Sequence, residues 1–538
     1  MADAYPLRRA TGALRSTAYD LLVIGGGIYG AWTACDAAQR GLKVALVEKN
    51  DWGSGTSSAS SKLIHGGLRY LEHFEFSLVR HALGERRVLT EIAPHLVRPL
   101  RFMVPIWEGA RVGKWRMAAG LTLYDLLSGF GQPVERHRSF TTKKLLERHP
   151  YLRSEGLQGG LSYGDCQEDD ARMTLAVVAA AQSAGADAAN RVGVESLRYD
   201  EHGGFCGAQL YDVVAGEHFT LDARAVVVAA GPWSNAIVGR NAPRVKLVKG
   251  VHLVMPAIPG CSDAFLFTAP QDGRVYFVIP WYGRMLLGTT EAEVADPTHA
   301  VVTDAEVRYL LDAARAALPQ CEWTEADIVG RFAGVRTLQA EDEDTLAAVT
   351  REFTILQPQP RVILPIGGKY TTARCDAVEI VGTVIRALKR PRTPSSTHEQ
   401  ALPGAPAHKA YVRWLEQACA ALVDAGVDVD CAAQVAQRHG LRIERLIELI
   451  AEDAQWAQRI VADLAFIEAE IVLAVRDEMA LSSEDVLRRR MPLNLLATLD
   501  ELTQARVLAL IDAQLRARPD ERSASVDEMA ATRETQPE

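Results

Sequence analysis

The apolar positions of this chain fall in short blocks whose spacing changes from place to place. Leu21 to Ile24 is an apolar run long enough for one buried strand, and Lys43 to Val47 is a second. Unbroken runs of this kind mark strands covered on both faces. Between them, residues 28 to 40 read as a helix in which Ala31, Ala34, Ala37 and Ala38 are small enough to pack closely on a sheet. Ala223 to Ala230 is a third buried run, ending in Gly231-Pro232-Trp233. An ordinary buried strand and turn would read the same; its place in the larger pattern sets it beside the first strand. Strands are also expected around Val192–Leu197, Phe205–Leu210 and Phe219–Leu221, after a helix at Leu175–Ala181.

Further on, Val251–Met255, Arg274–Ile279 and Met285–Gly288 suggest an antiparallel sheet, followed by helical text at Asp304–Ala317. Phe332–Arg336 and Val362–Leu364 are short strands leading to glycines and basic residues. Gly367-Gly368-Lys369-Tyr370-Thr371-Thr372 then opens a helix whose N-terminus favours an anion. Residues 74–130 read as mostly helical. Within them, Arg111, Lys114 and Arg116 precede an apolar stretch with Trp115, Met117, Leu121, Leu123, Leu126 and Leu127. That stretch fits either a helix lying in a bilayer interface or a buried helix with a charged start.

These blocks give a domain plan. Residues 1–19 are a flexible extension. Residues 20–390 form one large unit built on the strand–helix–strand repeat, with a second unit interleaved in it, mainly 74–160 and 245–355. Prolines at 391, 394, 403 and 406 mark a linker over 391–407. Residues 408–517 are a small all-helical domain with no catalytic constellation, and 518–538 form a polar, disordered tail.

Composition narrows the classes. A chain of 538 residues has room for two or three domains. The net charge of −9 argues against nucleic acid as the main partner. Eight scattered cysteines with no Cys-x-x-Cys pair point to buried thiols in a reducing compartment and to no metal site. No run of about 18 apolar residues exists, so no transmembrane helix is expected. The first residues carry arginines but no apolar core, against a secretory signal.

The candidate chemistry begins at the first turn. Gly25, Gly27 and Gly30 form Gly-x-Gly-x-x-Gly between a strand and a helix, and Glu48 ends the next strand. Gly25 allows the tight turn, Gly27 lets backbone N–H groups approach a pyrophosphate, and Gly30 lets the helix lie close. Glu48 can accept hydrogen bonds from a ribose. This predicts a dinucleotide, either FAD or NAD. Residues 51 to 61 are small and polar and should pass over it. His65-Gly66-Gly67-Leu68-Arg69-Tyr70 then suggests backbone brought close to a ligand.

The glycine turn and Glu48, followed by Ser57-Ser58-Ala59-Ser60-Ser61-Lys62-Leu63-Ile64-His65-Gly66-Gly67-Leu68-Arg69-Tyr70-Leu71-Glu72-His73, resemble the FAD-dependent, membrane-associated glycerol-3-phosphate dehydrogenase family. The resemblance continues at Gly164-Asp165-Cys166, Gly231-Pro232-Trp233, Lys249-Gly250-Val251-His252, Gly334-Val335-Arg336 and Gly367-Gly368-Lys369, and reaches the helical region at Val475-Arg476-Asp477-Glu478-Met479. It implies an α/β fold: a doubly wound, Rossmann-like FAD-binding domain, a substrate domain with a mixed or antiparallel sheet, and a C-terminal all-helical domain. It implies oxidation of sn-glycerol 3-phosphate to dihydroxyacetone phosphate, with electrons passed to a membrane quinone. The protein would then be cytoplasmic and attached to the inner face of the cell membrane, with a homodimer as one option for its assembly.

The reaction needs a base for the C2 hydroxyl proton and cations for a dianionic phosphate. The family motif makes His252 the base, with His65 as runner-up, and Arg336 the electrostatic anchor. Arg69, Tyr70 and Lys369 complete the anion pocket. Ser57, Ser58, Ser61, Lys62, His65, Gly66, Gly231, Trp233, Gly367, Gly368, Lys369 and Thr371 join the glycine turn and Glu48 around FAD. Tyr29 stands where the family usually has asparagine, and Thr337 where it usually has proline. Two other readings are an oxidase that passes electrons to oxygen and a flavoprotein that senses glycerol phosphate without turnover.

Overall fold

The computed structural model describes residues 4–129, 132–239, 242–339 and 353–517; the side chains of Arg69, Glu72 and His73 fall outside it. The organising unit is strand β1 (Tyr19–Ile24), helix α1 (Ile28–Gln39) and strand β2 (Val44–Glu48). Every residue of both strands is buried, as their unbroken apolar text requires. β1 pairs in parallel with β2 on one side and with the strand Glu217–Val228 on the other. Val362–Ile366 extends the sheet beyond that strand, and Asp187–Asn190 extends it beyond β2, both in parallel. The carboxyl ends of these strands therefore point the same way, where ligands sit in doubly wound sheets. Helix α1 is covered by the helices Asp170–Ser183 and Ala373–Ala387.

A second, mixed sheet carries the substrate side. Its strand Val245–Pro256 lies between Arg284–Gly288 and Gly330–Gln339, antiparallel to both. Val97–Trp107 pairs along most of its length with Leu157–Glu168. Neither of those two strands follows from the sequence. Residues 74–130 are not mostly helical: Val97–Trp107 separates the helices Phe76–Ile92 and Lys114–Ser128. Inside a sheet, its apolar residues Phe102 to Ile106 are covered by neighbours. Glu217–Val228 is also one strand, where two pieces were expected.

The N-terminal segment is not a flexible extension over the described residues. Leu7 and Leu14 are fully buried, and the Arg9 guanidinium meets the buried Asp212 carboxylate at 2.8 Å. Residues 391–407 do not hang free between domains either. Leu402 donates its N–H to the Ile92 carbonyl, and Thr397 is buried against Arg374. The helical region, which includes Tyr411–Asp424, Val429–His439, Ile443–Glu452, Glu468–Asp477 and Glu501–Ala517, shares a core with the second sheet. Phe466, Ile471 and Leu496 pack in one cluster with Phe102, Trp281 and Leu286. The expected tail, 518–538, lies outside the described residues.

Candidate active site

The turn after β1 is built where side chains have no room. Gly25 has φ +108°, and a Cβ there would stand 2.6 Å from the Ala229 carbonyl oxygen. On Gly30 a Cβ would lie 1.8 Å from the Gly25 carbonyl oxygen, so α1 rests directly on the turn. Glu48 closes the turn from the other side. Its Oε2 accepts from Gly26 N–H at 2.7 Å and its Oε1 from Asn50 N–H at 2.8 Å. Burial pushes the Glu48 pKa up, and these two donors offset part of the rise. Ser57 reaches over the start of α1, where its Oγ accepts from Ile28 N–H at 2.9 Å.

A cavity of about 1350 Å³ opens from this turn. Gly25, Gly27, Glu48, Ser57 and Ser61 line one end; Gly231, Trp233, Gly367, Gly368, Lys369 and Thr371 line the next stretch. Gly367 and Gly368 both have positive φ, +75° and +82°, and a Cβ on Gly368 would collide with the Tyr29 hydroxyl. The Tyr29 hydroxyl donates to Asp376 at 2.5 Å and lies 3.3 Å from the Lys369 carbonyl, so this residue braces the second glycine turn. His65 N–H donates to Thr371 Oγ1 at 3.2 Å, tying the two loops together.

The second sheet supplies His252 and Arg336 to the same cavity. The antiparallel register sets His252 opposite Phe332 and Arg336 opposite Val248, so both face one region of the cavity. The His252 ring stacks on Phe332 with centroids 5.0 Å apart. Its Nε2 lies 3.0 Å from Ser61 Oγ. Its Nδ1 is buried with no hydrogen-bond partner among the described residues. Burial first, then the Lys62 ammonium and the Arg336 guanidinium, push His252 down to about 3, so the ring is neutral over ordinary pH. Arg336 meets Glu291 at 3.3 Å and stays one-third exposed. The Lys369 ammonium sits 3.4 Å above the Tyr70 ring, inside the same cavity.

Three residues expected at the cofactor stand behind the wall. Lys62 is buried and donates to both Asp170 oxygens, at 2.8 and 2.7 Å, and to the Ser58 carbonyl. A buried ammonium needs such a partner, and this one draws Lys62 away from the cavity. Ser58 is buried with it. Gly66 donates its N–H to the Tyr124 hydroxyl, and a Cβ there would lie 2.5 Å from that oxygen. The Arg69 side chain is outside the description. Asp165 has no role that its Gly-Asp-Cys motif alone gives. That carboxylate lines the cavity, accepts from Tyr124 Oη at 2.8 Å and pairs with Arg86 at 2.6 Å. Arg86 lies 79 residues away in the chain, and only the fold brings the two together.

The geometry suits a flavin dinucleotide. Two glycine turns leave open backbone where side chains would collide, an acid closes the first turn, and an unpartnered imidazole nitrogen belongs to a residue of the cavity wall. Among the described residues, His81, Glu85 and Cys375 come close enough to share a metal, but Glu85 is already held by Arg374.

Known proteins agree. Residues 20–371 match the family model described as FAD dependent oxidoreductase. Residues 395–522 match the C-terminal domain of alpha-glycerophosphate oxidase. A glycerol-3-phosphate dehydrogenase of Synechocystis sp. is 37% identical over 506 residues, with 89% of each chain covered. An aerobic glycerol-3-phosphate dehydrogenase of Staphylococcus aureus is 34% identical over 490 residues, covering 89% of this chain and 87% of its own. The crystal structure of the glycerol-3-phosphate dehydrogenase of Bacillus halodurans complexed with FAD superposes with a TM-score of 0.77 at 28% identity, covering 99% of this chain and 97% of its own.

Proposed function

This chain belongs to the FAD-dependent glycerol-3-phosphate dehydrogenase family, and from that premise we propose that it oxidises sn-glycerol 3-phosphate to dihydroxyacetone phosphate and passes the electrons to a membrane quinone. The observation that carries the reading is His252. It is a neutral imidazole with an unpartnered nitrogen, in a cavity that also holds Arg336 and Lys369.

Each residue has a task. Arg336 and Lys369, with Arg69 added from the motif, hold the substrate phosphate by charge and hydrogen bonds. Tyr70 fixes the Lys369 ammonium over its ring. His252 takes the proton from the C2 hydroxyl, and Ser61 Oγ, 3.0 Å from its Nε2, fixes the ring's orientation. Bound FAD supplies the two-electron acceptor for the hydrogen leaving C2. The glycine turns, Glu48 and Ser57 hold that group, and the buried wall around Phe332 keeps water from the reacting carbon.

Membrane attachment rests on the helix Lys114–Ser128. Trp115 is 89% exposed and Leu126 72% exposed, and they stand eleven residues, about three turns, apart on one face. Phe74 is 77% exposed as well, and Arg111 and Arg116 are exposed near the start of the helix. Such a surface suits the inner face of a membrane with anionic lipid. Among the described residues no helix is long and apolar enough to cross a membrane.

The oxidase reading draws on the match of residues 395–522 to a glycerophosphate oxidase domain. One experiment separates the readings. Glycerol 3-phosphate is added to the yellow protein without oxygen, and loss of the oxidised-flavin absorption is followed. Quinone or oxygen is then added to see which restores the colour. A yellow protein that does not bleach would overturn the substrate; recovery by oxygen alone would overturn the quinone.

A further inference from the structure

The C-terminal helical region touches the flavin site from behind, through a short π-helix, Asp485–Arg490. Two consecutive arginines on it converge on one carboxylate. Arg490 Nη1 and Nη2 donate to Asp51 at 2.6 and 3.0 Å, and Arg489 Nε donates to the same group at 2.7 Å. Asp51 is fully buried and both arginines nearly so. Burial alone would raise the pKa of Asp51; the Arg490 and Arg489 guanidiniums outweigh it and hold the carboxyl charged. Asp51 opens the loop whose residues Ser54 to Ser57 and Ala59 to Ser61 line the cavity.

The next residue repeats the connection. Trp52 is 1% exposed, and its ring edge fills the place where any side chain on Gly26 would stand, 2.4 Å from a Cβ built there. Its indole N–H points to Met479 Sδ at 3.4 Å, and Met479 is fully buried in the helical region. Gly53 N–H donates to the Gly26 carbonyl at 2.9 Å. Asn190 bridges the two sides, donating to Asp51 Oδ1 and to the Met479 carbonyl. Thus the glycine turn is pressed between Glu48 and Trp52, and Trp52 and Asp51 are held by groups more than four hundred residues away in the chain.

We propose that the C-terminal helical region is a cofactor clamp: Arg489, Arg490 and Met479 are positioning residues that fix Asp51 and Trp52, and through them the glycine turn and the loop over the dinucleotide. Flavin retention by the first domain then depends on the last one. The charge pairs are desolvated, so removing one partner disturbs the loop far more than a surface pair would.

The test is the rate at which flavin leaves the holoenzyme, read by recovery of free-flavin fluorescence after dilution into a mild chaotrope. The variants are Arg490→Met, Met479→Ala and a control, Glu470→Gln. The control breaks a buried pair with Arg438 and His439 inside the helical region and touches nothing in the loop. Thermal unfolding is measured in parallel, and release is compared at a temperature where all are folded. Arg490→Met should release flavin at least about tenfold faster and Met479→Ala at least about threefold faster, while Glu470→Gln stays within about twofold of the parent. Where Arg490→Met does not fold, Met479→Ala decides alone. Release that simply follows thermal stability in all three, or Met479→Ala with the parent rate, overturns the clamp.

Discussion

The neutral state of His252 can be read from a pH profile. Burial and two neighbouring cations push it from the ordinary 6.5 to about 3. A base with a folded pKa below its unfolded value keeps its lone pair as pH falls, so the acid limb of the rate moves downward. At pH 5 an imidazole of ordinary pKa would be protonated about thirty to one, and kcat/KM would drop about thirtyfold from its value at pH 7.5. With the pKa at about 3, only about one ring in a hundred is protonated at pH 5, and the base costs almost nothing. The assay is anaerobic flavin bleaching by stopped flow, giving kcat/KM for the free enzyme between pH 5 and 8. The substrate phosphate ionises near pH 6 (about the usual second ionisation of a phosphate monoester), so its titration is measured separately and divided out. What remains should change by less than about twofold. A residual thirtyfold fall with a midpoint near 6.5 would refute the reasoning, because it would place the base in a wet, unperturbed setting.

Three other outcomes are expected. Gly30→Ala puts a methyl 1.8 Å from the Gly25 carbonyl oxygen; the helix must shift, stability should fall by about 1–3 kcal/mol, and the purified protein should be pale. Arg86→Met takes the paired cation from the buried Asp165, whose carboxyl burial already pushes up, so denaturant unfolding should show a loss of up to about 3–5 kcal/mol; an unchanged midpoint would contradict the pairing. Trp115→Ser with Leu126→Ser should weaken binding to anionic vesicles by at least about tenfold (the order expected for two large apolar side chains) while the flavin spectrum stays the same.

Local pattern carried the crossover unit almost entirely. The glycine spacing, the small-residue helix and the acid at the strand end are all fixed within thirty residues, so nothing distant was needed to read them. His252, Arg336 and Ser57 were legible because the family motifs name them, and with Glu48 they line one cavity. Pro99, Pro105 and two arginines hid the strand Val97–Trp107, since they break the period that marks a strand. Leu157–Glu168 is rich in glycine and reads as loop, yet Gly160 and Gly164 sit where neighbouring backbone and side chains leave no space. Lys62 read as a cofactor ligand because its partner, Asp170, is 108 residues away. The run Arg488-Arg489-Arg490 gave no signal either, since three adjacent charges usually mark a solvated face.

The position of β1 in its sheet sets a timetable for biosynthesis. β1 is made within the first 24 residues, but its second neighbour ends at Val228 and the next strand out begins at Val362. At ribosomal rates of about 5–20 residues per second, β1 and α1 wait about 10–40 s for the first of these and about 20–70 s for the second. Until Val228 is made, a strand whose residues Leu21 to Ile24 are all apolar has one side without a partner. The nascent chain is therefore exposed to aggregation for roughly a third of its synthesis, and a holdase that covers the first fifty residues should raise the yield of folded protein more than one acting later.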